Sequence, residues 1–460
     1  MAKPWIEDWR PDDEDFWRER GRAIARRNLA FSILAEFLGF AVWVLWSSTA
    51  AKLNDAGFNL SDGQLFTLVA VPALVGATAR IPYTLAVARF GGRNWTMISA
   101  TLLLIPVTLL AFMVTRPTTP YPLLLIAAAT AGFGGGNFAS SMANISYFYP
   151  DSKKGFALGL NAAGGNIGVA VSQLLVPWVI TIEALALVGP VRHGGPYLQN
   201  AGLIWIPAVL IAVACAWFFM DNLKVSRSSL REQAAILKRK HTWVMSWLYI
   251  GTFGSFIGYS AGLPLLIKTR FPEVNLSIAF IGPLVGSLIR PVGGWLADRW
   301  GGARVTFMVF VAMIAAVGGV IFFMNQPTEP YAFTGFLTMF VLLVTLTGIG
   351  NGSTYRMIPI IFRTLHLSRA PDGQTDREAA LTVARRESAA AIGFIGAIGA
   401  YGGWAIPQSY GISTSLTGSP VAALYLFAAF YISCLGITWW YYLRRSFATA
   451  WAPSLAEASV

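Results

Sequence analysis

Charge is scarce in this chain. Asp, Glu, Lys and Arg make up 12% of its 460 residues, against about a quarter in an ordinary soluble domain. That scarcity argues against a large soluble enzyme. Cysteine is scarcer still: Cys215 and Cys434 both lie in apolar runs, which indicates neither a disulfide framework nor a metal site. The three histidines, His193, His241 and His366, fall in loops or at their borders. The amino-terminal stretch is polar and lacks the apolar core of a secretory signal, so no cleaved signal is expected. No polar stretch is long enough for a catalytic domain. The two longest between apolar runs are about 222–242 and 364–382.

What is present is apolar sequence: 55% hydrophobic residues and a mean hydropathy of +0.57. Runs long enough to cross a bilayer as helices, about 20 residues each, recur throughout. They predict spans at 28–52, 64–89, 95–115, 121–149, 156–182, 201–221, 243–267, 276–298, 304–325, 331–362, 383–407 and 421–443. The expected fold is an all-α membrane protein with 12 transmembrane helices in two six-helix halves. On this reading 1–27 is an amino-terminal tail, 28–221 the first half, 222–242 a central loop, 243–443 the second half and 444–460 a carboxy-terminal tail.

The net charge of +12 follows topology. With both termini placed in the cytoplasm, Lys and Arg crowd the inner loops, and the outer segments hold only Lys52, Arg116, Arg192, Lys268 and Arg270. This is the inside-positive bias of a multi-pass protein. Nucleic acid is not an expected partner, because no soluble basic module with aromatic platforms is present.

The two halves repeat. "VGATARIPYTLAVARFGG" at 75–92 and "VGSLIRPVGGWLADRWGG" at 285–302 align at an offset of 210, matching Arg80 with Arg290 and Arg89 with Arg299. "GFGGG" at 132–136 and "GIGNG" at 348–352 share G-x-G-x-G spacing. The fifth and eleventh spans are both rich in small residues, including Gly164, Gly165, Gly168, Gly393, Gly396 and Gly399. Such glycines let helices approach closely and are assigned to packing or gating. Two parallel six-helix halves are a common transporter layout.

Arg89 and Arg299 sit near helix ends and read as snorkelling side chains. Arg80 and Arg290 do not. Each lies about nine residues from its inner helix end, roughly 13 Å, near the middle of a ~30 Å hydrocarbon core. A charge there costs ~2.5–3.5 kcal/mol on insertion scales. Glu36 is the one clear carboxyl in a span and does not balance two guanidinium groups. An external anion is therefore expected to complete the charge, and a planar oxyanion suits the arginine fork. Asn161 and Asn166 are amides in an apolar span that need partners, and one of them directed at the ligand would help hold it. Arg356, in the inner part of the tenth span, reads as lining an inner vestibule or snorkelling.

"GGWLADRWGGAR" at 293–304 resembles the G-x-x-x-D-R-x-G-x-R loop of the major facilitator superfamily; the matching loop after the second span is degraded. Nearly the whole chain resembles the nitrate/nitrite porters of that superfamily, the NarK-like bacterial members. The likeness is carried by "DWRPDDEDFWRERG", "RNLAF", "GGGNFASSMANISYFYP", "GFALGLNAAGGNIGV", "TFGSFIGYSAG" and "AAIGFIGAIGAYGGWAIP". The fifth-span segment carries two alanines where glycines are often found in the family. The resemblance implies that Arg80 and Arg290 bind the anion, that Asn166 contacts it, that Tyr249 supplies a cavity hydroxyl, and that Phe40, Phe138 and Phe253 line a narrow pocket. It further implies a carrier of nitrate and nitrite in the bacterial inner membrane, with the lipid bilayer as its surroundings, no cofactor, no enzymatic activity and a functional monomer.

Two fixed positive charges favour exchange of nitrate for nitrite, because closing an empty dry site buries unpaired like charges. Proton-coupled nitrate uptake is the competing expectation, with Glu36 as its intramembrane candidate; the plainer reading is a hydrogen-bonded structural glutamate. A channel is disfavoured because the repeat is internal and six spans long. No metal cluster or phosphate loop suggests an enzyme.

Overall fold

The computed structural model describes residues 5–185, 187–188, 195–224, 235–368, 374–445, 454–456 and 460. Parts of the expected central loop (225–234) and of both tails (1–4, 446–453 and 457–459) lie outside the described residues.

Twelve helices among the described residues are long and apolar enough to cross a membrane: α1 Glu14–Ala50, α2 Asp62–Phe90, α3 Gly92–Met113, α4 Tyr121–Phe148, α5 Ser152–Val179, α6 Asn200–Phe219, α7 Lys240–Arg270, α8 Leu276–Trp300, α9 Gly302–Met324, α10 Ala332–Leu367, α11 Arg377–Thr417 and α12 Val421–Leu443. The protein is an all-α, multi-pass membrane protein. Apart from a single parallel bridge between Ile6 and Leu223, no extended pairing occurs among the described residues. Large apolar side chains remain uncovered on α6, including Leu210, Ile211 and Phe218. A helix that meets hydrocarbon tails presents such a face, whereas a soluble protein seldom leaves one so broad.

Local chemistry explains several boundaries. Ser61 and Gln64 form a reciprocal capping box at the start of α2, which satisfies two otherwise orphaned amides. At the far end Gly91 takes φ 83° and ψ 153°, and α3 begins at Gly92. The same corner recurs between α8 and α9, where Gly301 has φ 87° and ψ 134° and α9 begins at Gly302. Side chains with a Cβ rarely enter this region. The glycine pairs matched by the sequence repeat are thus the same sharp turn built twice.

The second repeated motif is a packing device. A Cβ on Gly132 would come 2.8 Å from the Gly76 amide nitrogen, joining α4 to α2. One on Gly348 would collide with the Gly286 carbonyl, joining α10 to α8. Gly76 and Gly286 are again 210 residues apart.

The chain forms two compact units, and they cut across the six-plus-six division of the sequence. The first comprises Met1–Ser228, Gly258–Leu284 and Gly403–Pro420; the second comprises Ser229–Ile257, Val285–Gly402 and Val421–Val460. The later part of α7 and the end of α11 therefore pack within the first unit. Gln173 Nε2 donates to the Ser260 carbonyl at 2.5 Å and Ser47 Oγ to the Ala261 carbonyl at 2.6 Å. Phe66 meets Tyr410 at 5.8 Å between ring centres, and Lys268 pairs with Asp55 at 3.0 Å.

Candidate functional site

In the first unit, Arg80 is fully buried on α2. Its Nε donates to the Gly135 carbonyl on α4 at 3.1 Å. Its guanidinium carbon lies 4.7 Å from the centre of the Phe138 ring and 5.3 Å from that of Trp43. Phe40 packs edge-on against both, at 5.9 Å and 5.5 Å. Two aromatic rings thus face one charge, and a third packs against both. Cation–π attraction of this kind contributes up to ~2 kcal/mol when desolvated, and it leaves the guanidinium's charge in place. The GFGGG glycines permit the arrangement, since a Cβ on Gly135 would strike the Trp43 ring at 2.6 Å.

Asn166 is buried on α5, and its amide oxygen has no hydrogen-bond partner among the described residues. Asn161, one helical turn and more away on α5, points to Glu36: its Nδ2 donates to Glu36 Oε2 at 2.7 Å. Ser141 Oγ donates to the same oxygen at 2.5 Å. Of the α5 glycines, Gly165 faces Glu36, Gly164 faces Ile33, and Gly168 faces the Phe37 carbonyl so closely that any Cβ would collide with it.

In the second unit, Arg290 is buried at the first residue of a helical segment within α8. The helix breaks at Ile289, and Pro291 opens the next turn, a position where proline's missing N–H costs nothing. Arg290 Nη2 donates to the Tyr249 hydroxyl at 3.4 Å, and the guanidinium carbon lies 5.5 Å from the Tyr355 ring centre. Nη1 is buried with no hydrogen-bond partner among the described residues. Tyr249 and Phe253 stack at 5.3 Å. A π-helical turn at Ile250–Gly254 starts just after Tyr249 and contains Phe253, a local rewinding of the kind often found at functional positions.

On α11, Gly399 meets Tyr249, where a Cβ would lie 2.5 Å from Cδ1. Gly396 differs from the packing expectation: a Cβ there meets nothing within 4 Å. Gly393 lies on the same helix. Arg356 has a partner that the sequence did not suggest, since its Nε donates to Asp298 in the ADRWGG turn.

The structure thus brings Arg80, Phe40 and Phe138 together in one unit, and Arg290, Tyr249 and Phe253 together in the other. Sequence reasoning missed Trp43, which lies one turn from Phe40, and Tyr355, which neighbours Arg356.

Residues 29–380 match the Major Facilitator Superfamily profile. The nitrate/nitrite transporter NarU of Escherichia coli is 44% identical over 449 residues, covering 96% of this chain and 97% of that one. The chain belongs to the nitrate/nitrite porter family of this superfamily. A further relative, the probable nitrate/nitrite antiporter NarK2 of Thermus thermophilus, is 36% identical with 96% and 97% coverage. Among solved structures, a D-xylose–proton symporter matches with a TM-score of 0.65 at 14% identity, over 90% of this chain and 97% of that one. That likeness concerns the fold. The family is one of transporters, and the protein is not an enzyme.

Proposed function

We propose that this protein carries nitrate and nitrite across the bacterial inner membrane by alternating access, exchanging one for the other. Arg80 and Arg290 each lend a guanidinium to the anion, with Asn166 and the Tyr249 hydroxyl as further donors and Phe40, Phe138 and Phe253 as walls. The observation that carries the reading is Arg290: a buried charge whose Nη1 has no hydrogen-bond partner among the described residues and whose Nη2 donates to a phenol. Such a group needs an acceptor, and a planar oxyanion provides one. The names of NarU and NarK2 supply nitrate and nitrite as that anion.

Exchange follows from the cost of an empty return. A charge buried without its counter-ion costs several kcal/mol, so the loaded carrier reorients faster than the empty one. The halves at 28–221 and 243–443 are the bodies that rock, in a monomer with both termini cytoplasmic. Counterflow of labelled nitrate into proteoliposomes tests this. Uptake should require internal nitrite or nitrate, and equal uptake into anion-free vesicles would overturn exchange. Uptake driven by an imposed pH gradient into vesicles without internal anion would favour proton coupling, for which buried Glu36 is the candidate.

A further inference from the structure

The first unit holds a second polar site that the anion chemistry does not use. A small cavity lies among α1, α3 and α4, with room for the centre of about one water, ≈ 10 Å³. Seven of its eight lining residues are polar: Ser32, Glu36, Thr96, Ser99, Asn137, Ser140 and Ser141, with Ala35 the eighth. A void of that size in polar surroundings is what a single buried water needs.

The decisive residue is Asn137. It is 3% exposed, and neither its Nδ2 nor its Oδ1 has a hydrogen-bond partner among the described residues. A buried amide with both ends unmet is costly. Its occupant must accept from Nδ2 and donate to Oδ1. Water does both. A sodium ion would satisfy the oxygen and oppose the N–H group, and an anion would do the reverse beside a carboxyl group.

The remaining side chains are arranged around Glu36. Ser141 and Asn161 both donate to Oε2, and Ser32 meets Ser141 at 2.9 Å. None of the other lining residues on α1, α3 and α4 is ionisable, and on α5 the neighbours are Asn161 and Gly165. Three basic groups on the packed helices have contacts of their own. Arg27 pairs with Asp221 at 2.7 Å, Arg93 binds the Trp217 carbonyl, and Arg80 lies against a different face of α4, that of Gly135 and Phe138.

We infer that one water bridges the Asn137 amide and the Glu36 carboxyl group, making a buried proton-accepting site on α4 opposite the face that holds Arg80. Protonating Glu36 weakens the acceptor on which Ser141 and Asn161 converge. It thereby loosens α4 and α5 from α1 and slows exchange in acid. The inference does not depend on which anion is carried or on exchange being obligatory.

The test is nitrate–nitrite exchange in proteoliposomes with the same pH on both sides, so that no gradient drives transport. The wild-type rate should fall several-fold as the pH is lowered from about 9 to about 5. Glu36→Gln keeps an acceptor oxygen for Ser141 and Asn161 but cannot titrate, so its profile should be flat. Asn137→Leu fills the cavity and should move the midpoint to higher pH, whereas Asn137→Ser, which leaves room for water, should restore it. A wild-type profile without a step, or one that Glu36→Gln leaves unchanged, overturns the inference while leaving the anion reading intact. Loss of wild-type exchange at every pH would instead sink the anion reading. Should Glu36→Gln fail to fold, infrared pH-difference spectra of the wild type carry the test. A buried carboxyl band that responds to deuterated water supports the site, and its absence refutes it.

Discussion

Arg80 and Arg290 occupy equivalent points of the internal repeat, yet the two halves hold them differently. Arg80 lies in an unbroken helix, fully buried, with Nε tied to a backbone carbonyl and its faces covered by Phe138 and Trp43. Arg290 starts a new helical segment, and its neighbours are two tyrosines. The scaffold beneath is the same in both: glycine-to-glycine packing of α4 on α2 and of α10 on α8, and a positive-φ glycine just past the end of the arginine's helix. The lesson is that duplication preserved the backbone that places a charge, while the side chains around each charge diverged. One is held rigidly by aromatic faces. The other keeps a polar, hydroxyl-bearing surrounding.

The largest effect that would test this comparison is loss of either charge. Arg80→Ala and Arg290→Ala should each reduce exchange by about 100-fold or more, since each removes hydrogen bonds to a charged group worth ~1.5–3 kcal/mol apiece. The sharper arm is lysine. At 80 it loses the Nε bond to the Gly135 carbonyl and the stacked faces, so Arg80→Lys should be nearly as damaging as alanine. At 290 a point charge still reaches a phenol, so Arg290→Lys should keep measurably more activity. Equal losses would show that the surroundings do not matter.

Next come the glycines. Gly168→Ala drives a methyl group into the Phe37 carbonyl of α1, and overpacking of this kind costs ~1–3 kcal/mol. Gly396→Ala meets open space and should leave thermal stability in detergent unchanged. Tyr249→Phe is smaller. It removes the hydroxyl facing Arg290 but keeps the stack on Phe253, so KM for nitrate should rise about fivefold, the worth of a ~1 kcal/mol hydrogen bond.

The smallest effect is at Asp55. Burial alone would raise its carboxyl, but hydrogen bonds and charge from Lys52 and Lys268 hold it below the ordinary value of 3.8. A depressed carboxyl contributes stability above its unfolded value and loses it as pH falls through the folded one. Asp55→Asn should therefore lower the melting temperature slightly at neutral pH. The difference from wild type should shrink as the pH falls below about 3.8 and vanish once it is below the depressed folded value.

Much of this was legible in sequence because it is repetitive or costly. An arginine at mid-span stands out against hydrocarbon, and the same arginine at an offset of 210 stands out twice. The Gly-Gly pairs and G-x-G-x-G runs stand out in the sequence as repeats, and the structure uses the first as turns and the second as close helix contacts. The partners of Glu36 were not legible. Ser141 and Asn161 are 105 and 125 residues away, and no local pattern singles them out from other small polar residues. The Arg356–Asp298 pair, 58 residues apart, was hidden for the same reason. Asn137 stood in plain view in GGGNFASS, but an amide's missing partner becomes visible only once its neighbours are in place.

Sequence alone determined the number of spans, the duplication and the two buried charges. Hydrophobic length and the cost of a guanidinium in lipid are properties of residues, whatever packs around them. Tertiary structure decided which side chains surround each arginine, that part of α7 and the end of α11 pack within the first unit, and that a water-sized cavity lies beside Glu36. Those depend on contacts between residues far apart in the chain, where shape and hydrogen-bond geometry select among chemically similar candidates.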